Sequence, residues 1–275
     1  MTRIALFQMT TGIDPDANAA AICDAVAEAA GEGAQMLFTP EMAGLLDRDR
    51  KRATPHILPE SENPVLDHVS AAARQHGIWV ALGSLAVAGE GGRWANRSLL
   101  LAPDGTVAAR YDKIHMFDVD LATGESWRES NAYEPGDEVV AAQTPIGTLG
   151  LAICYDMRFP ALFSALGDKA CDAIAIPAAF TVPTGKAHWH LLLRARAVEA
   201  SAYVIATAQV GEHADGRSTY GHSLVVDPWG EVVLDMGGDR PGIGYAELSV
   251  ERIAEVRRQL PSLANRRKIS KSAMI

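Results

Sequence analysis

This chain of 275 residues has few cysteines: Cys23, Cys154 and Cys171 are the only ones. Their spacing matches neither a disulfide framework nor the paired cysteines of a structural zinc site. Free thiols are typical of proteins in a reducing compartment. We therefore expect a cytoplasmic protein, in which any functional cysteine acts as a free thiol.

Positive charge and long apolar runs are also scarce. The chain holds 25 Lys and Arg against 34 Asp and Glu, a formal net charge of −9, so a basic surface for nucleic acid is not expected. No apolar run approaches the roughly 18 residues that a membrane-spanning helix needs. The chain starts with a strand-like segment, Arg3–Gln8, and shows no secretory leader. Neither nucleic acid nor a membrane is expected as a partner.

Several catalytic and cofactor motifs are missing as well. The sequence contains no G-x-S-x-G turn of serine hydrolases, no G-x-G-x-x-G and no phosphate-binding P-loop. His188 and His190 flank a tryptophan but lie two residues apart, which puts them on different sides of a helix. We expect no metal and no cofactor.

The most informative segment that is present is Gly150–Pro160, in which a short apolar run leads into Cys154 and a polar turn. Such a run predicts a buried strand, and Pro160 fits the first turn of a following helix. The cysteine then lies at the carboxyl end of a strand and faces a helix amino terminus, where peptide dipoles favour thiolate. Asp156 and Arg158 are expected to hold the turn in place.

Two further segments end in the same way. An apolar run ends in Thr-Pro-Glu at Glu41, and a predicted hairpin ends at Lys113. Residues at the carboxyl ends of neighbouring strands can converge at one edge of a sheet. A carboxylate, an ammonium and a thiol are therefore expected to form one site.

Glu41, Lys113 and Cys154, in this order and in these local settings, resemble the Glu-Lys-Cys triad of the nitrilase, or carbon–nitrogen hydrolase, superfamily. The resemblance covers most of the chain, through the further stretches Ile114–Asp120, Glu129–Asn131, Ala187–Glu199 and Tyr220–Gly230. These look most similar to the branch that contains deaminated glutathione amidases and ω-amidases.

The resemblance implies a mechanism that the residue types can support. Cys154 is the expected nucleophile, forming a thioester, and Glu41 the general base that moves protons between thiol, amine and water. Lys113 and the backbone N–H of Tyr155 are expected to stabilise the oxyanion. Glu129 matches a further carboxylate of the family and is expected to hold Lys113 and the substrate.

The expected substrate is a small amide of a 2-oxo acid, with deaminated glutathione first and 2-oxoglutaramate second. Its carboxylates require cations or polar donors in the pocket. Residues of that kind in predicted loops are His115, Asn131, Thr181, Thr184, Lys186, Arg217 and Thr219. The alternatives are a nitrilase or N-carbamoyl amidase of the same superfamily, and a non-catalytic binding protein on this fold. The intact triad argues against the last.

The order of elements predicts an α/β fold. Strand-like runs and alanine-rich helical stretches alternate in two series, within 3–111 and 148–235, and 98–107 echoes 223–232. Two such halves can pack sheet against sheet, with helices outside, as a four-layer α-β-β-α sandwich. This is also the architecture that the resemblance implies.

We expect a single domain over residues 1–275, with a C-terminal arm at 263–275 that contains Arg266, Arg267, Lys268 and Lys271. The polar segment 121–137 is expected to be an active-site loop. The family resemblance implies a homodimer, and Arg194, Arg196 and Glu199 are interpreted as fold or subunit contacts.

Overall fold

The computed structural model describes residues 1–122, 124 and 126–267. Within them the α-helices are, in chain order, α1 (Pro15–Gly31), α2 (Arg50–Ala53), α3 (Pro64–His76), α4 (Pro160–Asp168), α5 (Val182–Ala200) and α6 (Val250–Gln259). The β-strands are β1 (Thr2–Gln8), β2 (Met36–Phe38), β3 (Trp79–Ala88), β4 (Trp94–Leu101), β5 (Val107–Asp112), β6 (Asp118–Asp120), β7 (Ser126–Arg128), β8 (Ala141–Thr144), β9 (Gly147–Leu151), β10 (Ala173–Ala175), β11 (Tyr203–Ala206), β12 (Val210–Glu212), β13 (Ser218–Tyr220), β14 (Leu224–Val226), β15 (Val232–Asp235) and β16 (Gly242–Leu248).

Local sequence explains where the long helices start and stop. The carboxylate of Asp14 accepts hydrogen bonds from two N–H groups in the first turn of α1, and Pro15 needs no such partner. Helix α3 begins in the same way at Asn63 and ends at Gly77, whose φ of 64° is a left-handed conformation that glycine adopts without strain. These capping residues explain the observed starts of both helices and the end of α3.

The two main sheets have the same topology. The first has the strand order β16-β1-β2-β3-β4-β5, and the second has the order β15-β14-β11-β10-β9-β8. In each sheet three adjacent strands are parallel (β1-β2-β3 and β9-β10-β11), and every other pair of neighbouring strands is antiparallel. The internal echo of the sequence therefore corresponds to a repeated arrangement of strands.

The layers follow from strands that are apolar on both faces. In β1, Ala5 belongs to a core cluster shared with α1 and α3, whereas Ile4 and Leu6 belong to a cluster shared with the second sheet, α4 and α5. Side chains of a strand alternate between its two faces, so one face packs on helices and the other on the opposite sheet. The predicted α-β-β-α sandwich is confirmed.

Some elements were not predicted. Strand β16 contains two glycines and offers a weak strand pattern, but it pairs with β1 along seven residues, from Thr2↔Leu248 to Gln8↔Gly242. Helix α6 is mostly charged and buries Ile253 and Val256. Tertiary pairing and packing stabilise both elements, and local propensity does not reveal such stabilisation. In the part of the chain that the structure describes, no helix is long and apolar enough to cross a bilayer.

The region of the predicted C-terminal arm begins in contact with the body of the protein. Residues 262–265 form a turn, and the Arg266 guanidinium donates to the carboxylate of Asp168 at 2.7 Å and to the carbonyl of Ser164 at 3.0 Å in α4. Residues 268–275, with Lys268 and Lys271, lie outside the described residues. The division of the chain into one domain remains a prediction.

Arginines of α5 make contacts within the chain. Arg194 donates to the Gly230 carbonyl at 2.7 Å, and Arg196, only 4% exposed, donates to the Met157 carbonyl at 2.8 Å and to Glu199. These bonds attach α5 to the turn after Cys154 and to the β14–β15 turn. Arg194, Arg196 and Glu199 were interpreted as fold or subunit contacts, and these bonds within the chain are fold contacts.

Candidate active site

Cys154 lies just beyond β9, at the start of a short turn over Cys154–Arg158 that precedes α4. Its φ is +47°, a left-handed conformation that is uncommon for a residue with a side chain. Its backbone N–H donates to the carbonyl of Pro177 at 2.9 Å, and the residue is 7% exposed. A backbone held in this unusual conformation is typical of functional residues and fixes the direction of the thiol.

Asp156 holds this turn, as predicted from the sequence. The carboxylate is fully buried and accepts hydrogen bonds from Ile153 N at 2.9 Å and Tyr111 Oη at 2.6 Å. It also accepts from the backbone N of His115 at 3.0 Å and contacts His115 Nδ1 at 2.7 Å. Arg158 lies over the rings of Tyr155 and Phe180. Both residues stabilise the turn that carries the nucleophile.

Glu41 follows β2 at the same edge of the fold and is 5% exposed. Its Oε2 accepts a hydrogen bond from the backbone N–H of Ala179 at 2.9 Å, across the interface between the two halves. Its Oε1 accepts from Lys113 Nζ at 2.9 Å and Asn96 Nδ2 at 2.9 Å. The Cys154 thiol lies close enough to this carboxylate for each group to shift the pKa of the other. The predicted base and cation are therefore in direct contact, and the predicted nucleophile lies beside them.

Lys113 is held between two carboxylates. Besides Glu41, its Nζ contacts Glu129 Oε1 at 3.0 Å and Oε2 at 2.9 Å, and it is 2% exposed. Glu129 Oε2 also accepts from the backbone N–H of Phe117 at 2.7 Å. The arrangement matches the positioning role predicted for Glu129. The two carboxylates compensate the charge of the buried ammonium. Their hydrogen bonds also fix the position of the ammonium beside the thiol.

Asn96 is a site residue that the sequence reasoning missed. Its side-chain amide donates to Glu41 at 2.9 Å and to Glu129 at 3.1 Å, so it bridges the two carboxylates. The residue is fully buried in β4. No local signal marks it, because Arg97 and Ser98 follow it in the same strand. A buried amide needs partners of its own, and the two carboxylates provide them for Nδ2, whereas Oδ1 has none among the described residues.

The charges in the site act on one another. Burial alone would raise the pKa of the Glu41 carboxyl, but the charge and the hydrogen bond of Lys113 lower it below its usual value. Burial alone would lower the pKa of Lys113, but the charges of Glu129 and Glu41 raise it well above its usual value. Glu41 is thus ionised and Lys113 protonated at neutral pH.

The prediction that the surroundings of Cys154 favour thiolate is wrong. Burial, followed by the negative charge of Glu41, raises the pKa of the thiol well above its usual value, and Lys113 only partly offsets this. The resting site therefore holds a protonated thiol beside an ionised carboxylate. That is the starting state for general-base catalysis, in which the proton leaves as the sulfur attacks.

A cavity of about 690 Å³ opens onto Glu41, Lys113, Glu129 and Cys154. Tyr155, the predicted oxyanion donor, is one of the residues that line the cavity. The aromatic residues of the lining are Trp94, Phe117, Trp127, Tyr133, Tyr155 and Phe180. The hairpin β6–β7 and the turn after it supply Ser126, Trp127, Arg128 and Glu129 of the lining. The segment 121–137 therefore borders the site, as expected of an active-site loop.

Four of the residues predicted to bind substrate line this cavity, namely Thr181, Thr184, Arg217 and Thr219. The hydroxyls of Thr181 and Thr184 lie 2.7 Å apart. Arg217 Nε donates to Asp215 at 2.7 Å, and its guanidinium lies over the Trp127 ring. Thr219 is 4% exposed. Its Oγ1 contacts His213 Nε2 at 2.8 Å.

The other three candidates, His115, Asn131 and Lys186, do not line this cavity, contrary to expectation. His115 stacks on Phe159 with 3.6 Å between ring centroids and pairs with Asp156, so it supports the nucleophile's turn. Asn131 and Lys186 are exposed outside the lining. Both were candidates as polar residues in predicted loops, but Lys186 lies within α5 and Asn131 ends the short turn Glu129–Asn131.

Comparison with known proteins supports the same conclusion as the geometry. A family model described as carbon-nitrogen hydrolase matches residues 3–258. Deaminated glutathione amidase of Yersinia enterocolitica is 38% identical over 272 residues, covering 97% of this chain and 93% of that protein. The human protein of the same name is 38% identical over 269 residues, covering 96% of this chain and 82% of that protein.

Solved structures give the same result. The crystal structure of the NitFhit protein of Caenorhabditis elegans matches with a TM-score of 0.89 at 34% identity, covering 97% of this chain and 65% of that chain. The resemblance predicted from the triad segments is thereby confirmed. This chain belongs to the carbon–nitrogen hydrolase family and is an enzyme that hydrolyses carbon–nitrogen bonds.

Proposed function

We propose that this enzyme hydrolyses the amide bond of deaminated glutathione, which releases a 2-oxo dicarboxylic acid and a dipeptide. The observation that carries the proposal is a set of arginines in the same cavity as the triad: Arg48, Arg50, Arg128 and Arg217. Deaminated glutathione bears a carboxylate at each end, and guanidinium groups recognise carboxylates by paired hydrogen bonds. The relatives that bear this name support the same substrate.

The residues of the site suffice for the reaction. The Cys154 sulfur attacks the amide carbon while Glu41 takes the thiol proton, and the oxyanion forms beside the Lys113 ammonium. The C–N bond then breaks as Glu41 gives its proton to the departing amine, which leaves a thioester on Cys154. Glu41 next takes a proton from water, which attacks the thioester. Collapse of this second tetrahedral intermediate releases the acid and restores the thiol.

Cavity size favours deaminated glutathione over the smaller 2-oxoglutaramate. A volume of about 690 Å³ lies within the roughly 300–1,000 Å³ of sites that hold ligands of drug size. Both molecules share the 2-oxo acid portion, but only the former has a second, peptide-like portion with its own carboxylate. Arg48 and Arg50, exposed lining residues that follow Glu41 in the chain, are available to that portion.

Activity on a panel of compounds tests the substrate. Ammonia or amine release is measured for deaminated glutathione, 2-oxoglutaramate, a neutral aliphatic amide, an N-carbamoyl amino acid and a nitrile. We expect the two 2-oxo acid amides to exceed the neutral amide by about 10³-fold in kcat/KM or more, because a substrate without carboxylates forgoes the charge-assisted hydrogen bonds to the arginines of the cavity. Faster turnover of the nitrile or the N-carbamoyl compound would reject the assignment.

Replacing Arg217 tests how the acid is recognised. Arg217→Ala is expected to lower kcat/KM for the 2-oxo acid amides by about 10- to 100-fold, the worth of one charge-assisted hydrogen bond. The neutral amide serves as the internal control, since damage to the fold would slow both substrates equally. Asp215 loses its Arg217 partner in this variant, so Arg217→Lys is the matched conservative change. Unaltered selectivity in Arg217→Ala would remove Arg217 from substrate recognition.

We also propose a homodimer in the cytoplasm. Free cysteines, including the essential thiol, support a reducing compartment. The apolar residues Leu191 and Val198 on α5 and Trp229 on the adjoining turn are 66%, 41% and 46% exposed. They offer a self-complementary surface for a two-fold contact. Arg196 is buried within the chain, so it is not available for a subunit contact. We therefore assign the contact to the apolar side of α5, which carries Leu191 and Val198.

Light scattering tests the assembly. The full chain is expected to have the mass of a dimer at micromolar concentration, and Leu191→Glu to shift it toward the monomer, because a buried charge opposes the contact. A chain truncated after Pro261 should dissociate more readily. Val250→Glu, at a 55% exposed apolar position on α6, is the control. A monomeric full chain would refute the proposal.

A further inference from the structure

His190, His222 and Asp235 meet on the face of the second sheet that α5 covers, although the sequence places them on separate elements. His190 lies in α5, His222 between β13 and β14, and Asp235 at the end of β15. His190 Nε2 is 2.9 Å from Asp235 Oδ2, and His222 Nδ1 is 2.9 Å from Asp235 Oδ1. One donor atom of each residue lies within 4.8 Å of the other two. None of the three lines the catalytic cavity.

From this arrangement we propose that the three side chains form a binding site for a divalent transition metal ion, with zinc as the best fit. Ligands about 2.1 Å from a tetrahedral zinc ion are about 3.4 Å apart, so side-chain adjustments of the order of 1 Å complete the geometry. Two imidazoles and one carboxylate suit zinc, copper and nickel. Calcium and magnesium are disfavoured, since they prefer oxygen ligands throughout.

The surroundings hold the ligands in these positions. His222 has a left-handed backbone with a φ of 57°, and its carbonyl accepts from Trp189 Nε1 at 2.8 Å. The Tyr220 ring stacks on the His222 ring with 4.5 Å between centroids. The backbone N–H of Gly237 donates to Asp235 Oδ1 at 2.9 Å. Such supporting contacts orient metal ligands and contribute to affinity.

Accessibility and charge also suit an ion. The side chains of His190, His222 and Asp235 are 36%, 26% and 32% exposed, which leaves a path for the ion and room for a water as fourth ligand. The Asp235 carboxylate is the acidic member of the cluster, and it already hydrogen-bonds both histidines.

Bound metal would join α5 to the loop before β14 and to β15. This metal site would lie close to the wall of the catalytic cavity, which includes Phe180 and Thr219. Trp189 of α5 packs on Phe180, and Tyr220 directly follows Thr219 in the chain. We expect a structural ion that increases stability, since a ligand bound to the native state alone shifts the folding equilibrium. The amidase chemistry does not require it.

Zinc binding to the full chain tests the site, with Cys154→Ala as the background that removes the active-site thiol as a ligand. Equilibrium dialysis is expected to show about one zinc ion per chain at micromolar zinc, and the melting temperature is expected to rise. His190→Ala and Asp235→Asn in this background should each weaken binding at least about tenfold. Circular dichroism verifies that these variants fold.

His188→Ala is the matched control. His188 lies two residues before His190 in the same helix, and it contacts Arg158 instead of the cluster. It should bind zinc as the background does. A cobalt(II) spectrum without a thiolate charge-transfer band in the wild-type chain would show that the ion avoids cysteine. No binding at micromolar zinc, or equal affinity in His190→Ala, would show a hydrogen-bonded cluster only and overturn the proposal.

Discussion

Replacement of Cys154 by alanine is expected to abolish amide hydrolysis. Removing the nucleophile from a site in which nucleophile and base act as a unit lowers kcat by on the order of 10⁶-fold. Cys154 is in contact with Glu41 and opens onto the cavity, so no other thiol of the chain can replace it. Steady-state release of amine from deaminated glutathione measures the loss.

The control for this prediction is Cys23→Ala, a change of the same kind at a half-buried position in α1. It should keep wild-type activity. Cys154→Ala should keep the melting temperature within a few degrees, since a thiol-to-methyl change in a buried site removes few contacts. Substantial turnover by a folded Cys154→Ala enzyme would show that the thioester route is not used.

Glu41→Gln and Lys113→Met are expected to cost about 10²- to 10⁴-fold each in kcat, because the first removes the proton carrier and the second the oxyanion cation. KM should change less, since neither group binds the distal parts of the substrate. Rates with the 2-oxo acid amides under saturation measure the effect. A variant that keeps about a tenth of wild-type kcat would exclude its residue from the chemistry.

The matched controls are Glu138→Gln and Lys186→Met, the same changes at exposed positions outside the cavity. Lys113→Met leaves Glu41 and Glu129 buried without their cation, a loss that typically costs about 3–5 kcal/mol of stability. Its rate must therefore be measured on protein shown to be folded. Glu41→Gln carries no such penalty and gives the cleaner comparison.

The pH dependence provides a second reading of the same pair. The base must be ionised, and Lys113 lowers the pKa of Glu41, so kcat/KM should stay level on the acid side down to the ordinary pKa of a glutamate, about 4.3. On the alkaline side, the raised pKa of Cys154 keeps the thiol protonated at neutral pH. If kcat/KM instead began to fall on the acid side near neutral pH, Glu41 would not be a base with a lowered pKa.

Local sequence was enough to find the chemistry of this site. An apolar run that ends in a glutamate, a lysine or a cysteine specifies both a strand and the functional group that follows it. The expectation of one sheet edge was wrong, because β2 leads to Glu41 in the first sheet and β9 leads to Cys154 in the second, so these groups converge from two sheets. Repeated patterns of strand and helix also indicated the two sheets, because a short apolar run is a property of each segment alone.

Other features depended on residues that are far apart in the chain. Ala179 donates its N–H to Glu41 across 138 positions, and Asn96 reaches both carboxylates from β4, yet neither residue has a local signature of catalysis. The lining of the cavity was decided in the same way: Arg217 faces it and Lys186 does not.

The sequence by itself determined which groups react, the fold class and the family. Only the tertiary structure decided that the Cys154 thiol is protonated, that Asn96 belongs to the site and that His190 meets His222 and Asp235. The reason is physical: residue type and strand pattern are local, whereas desolvation, charge coupling and the meeting of side chains depend on how the two sheets and their helices pack together.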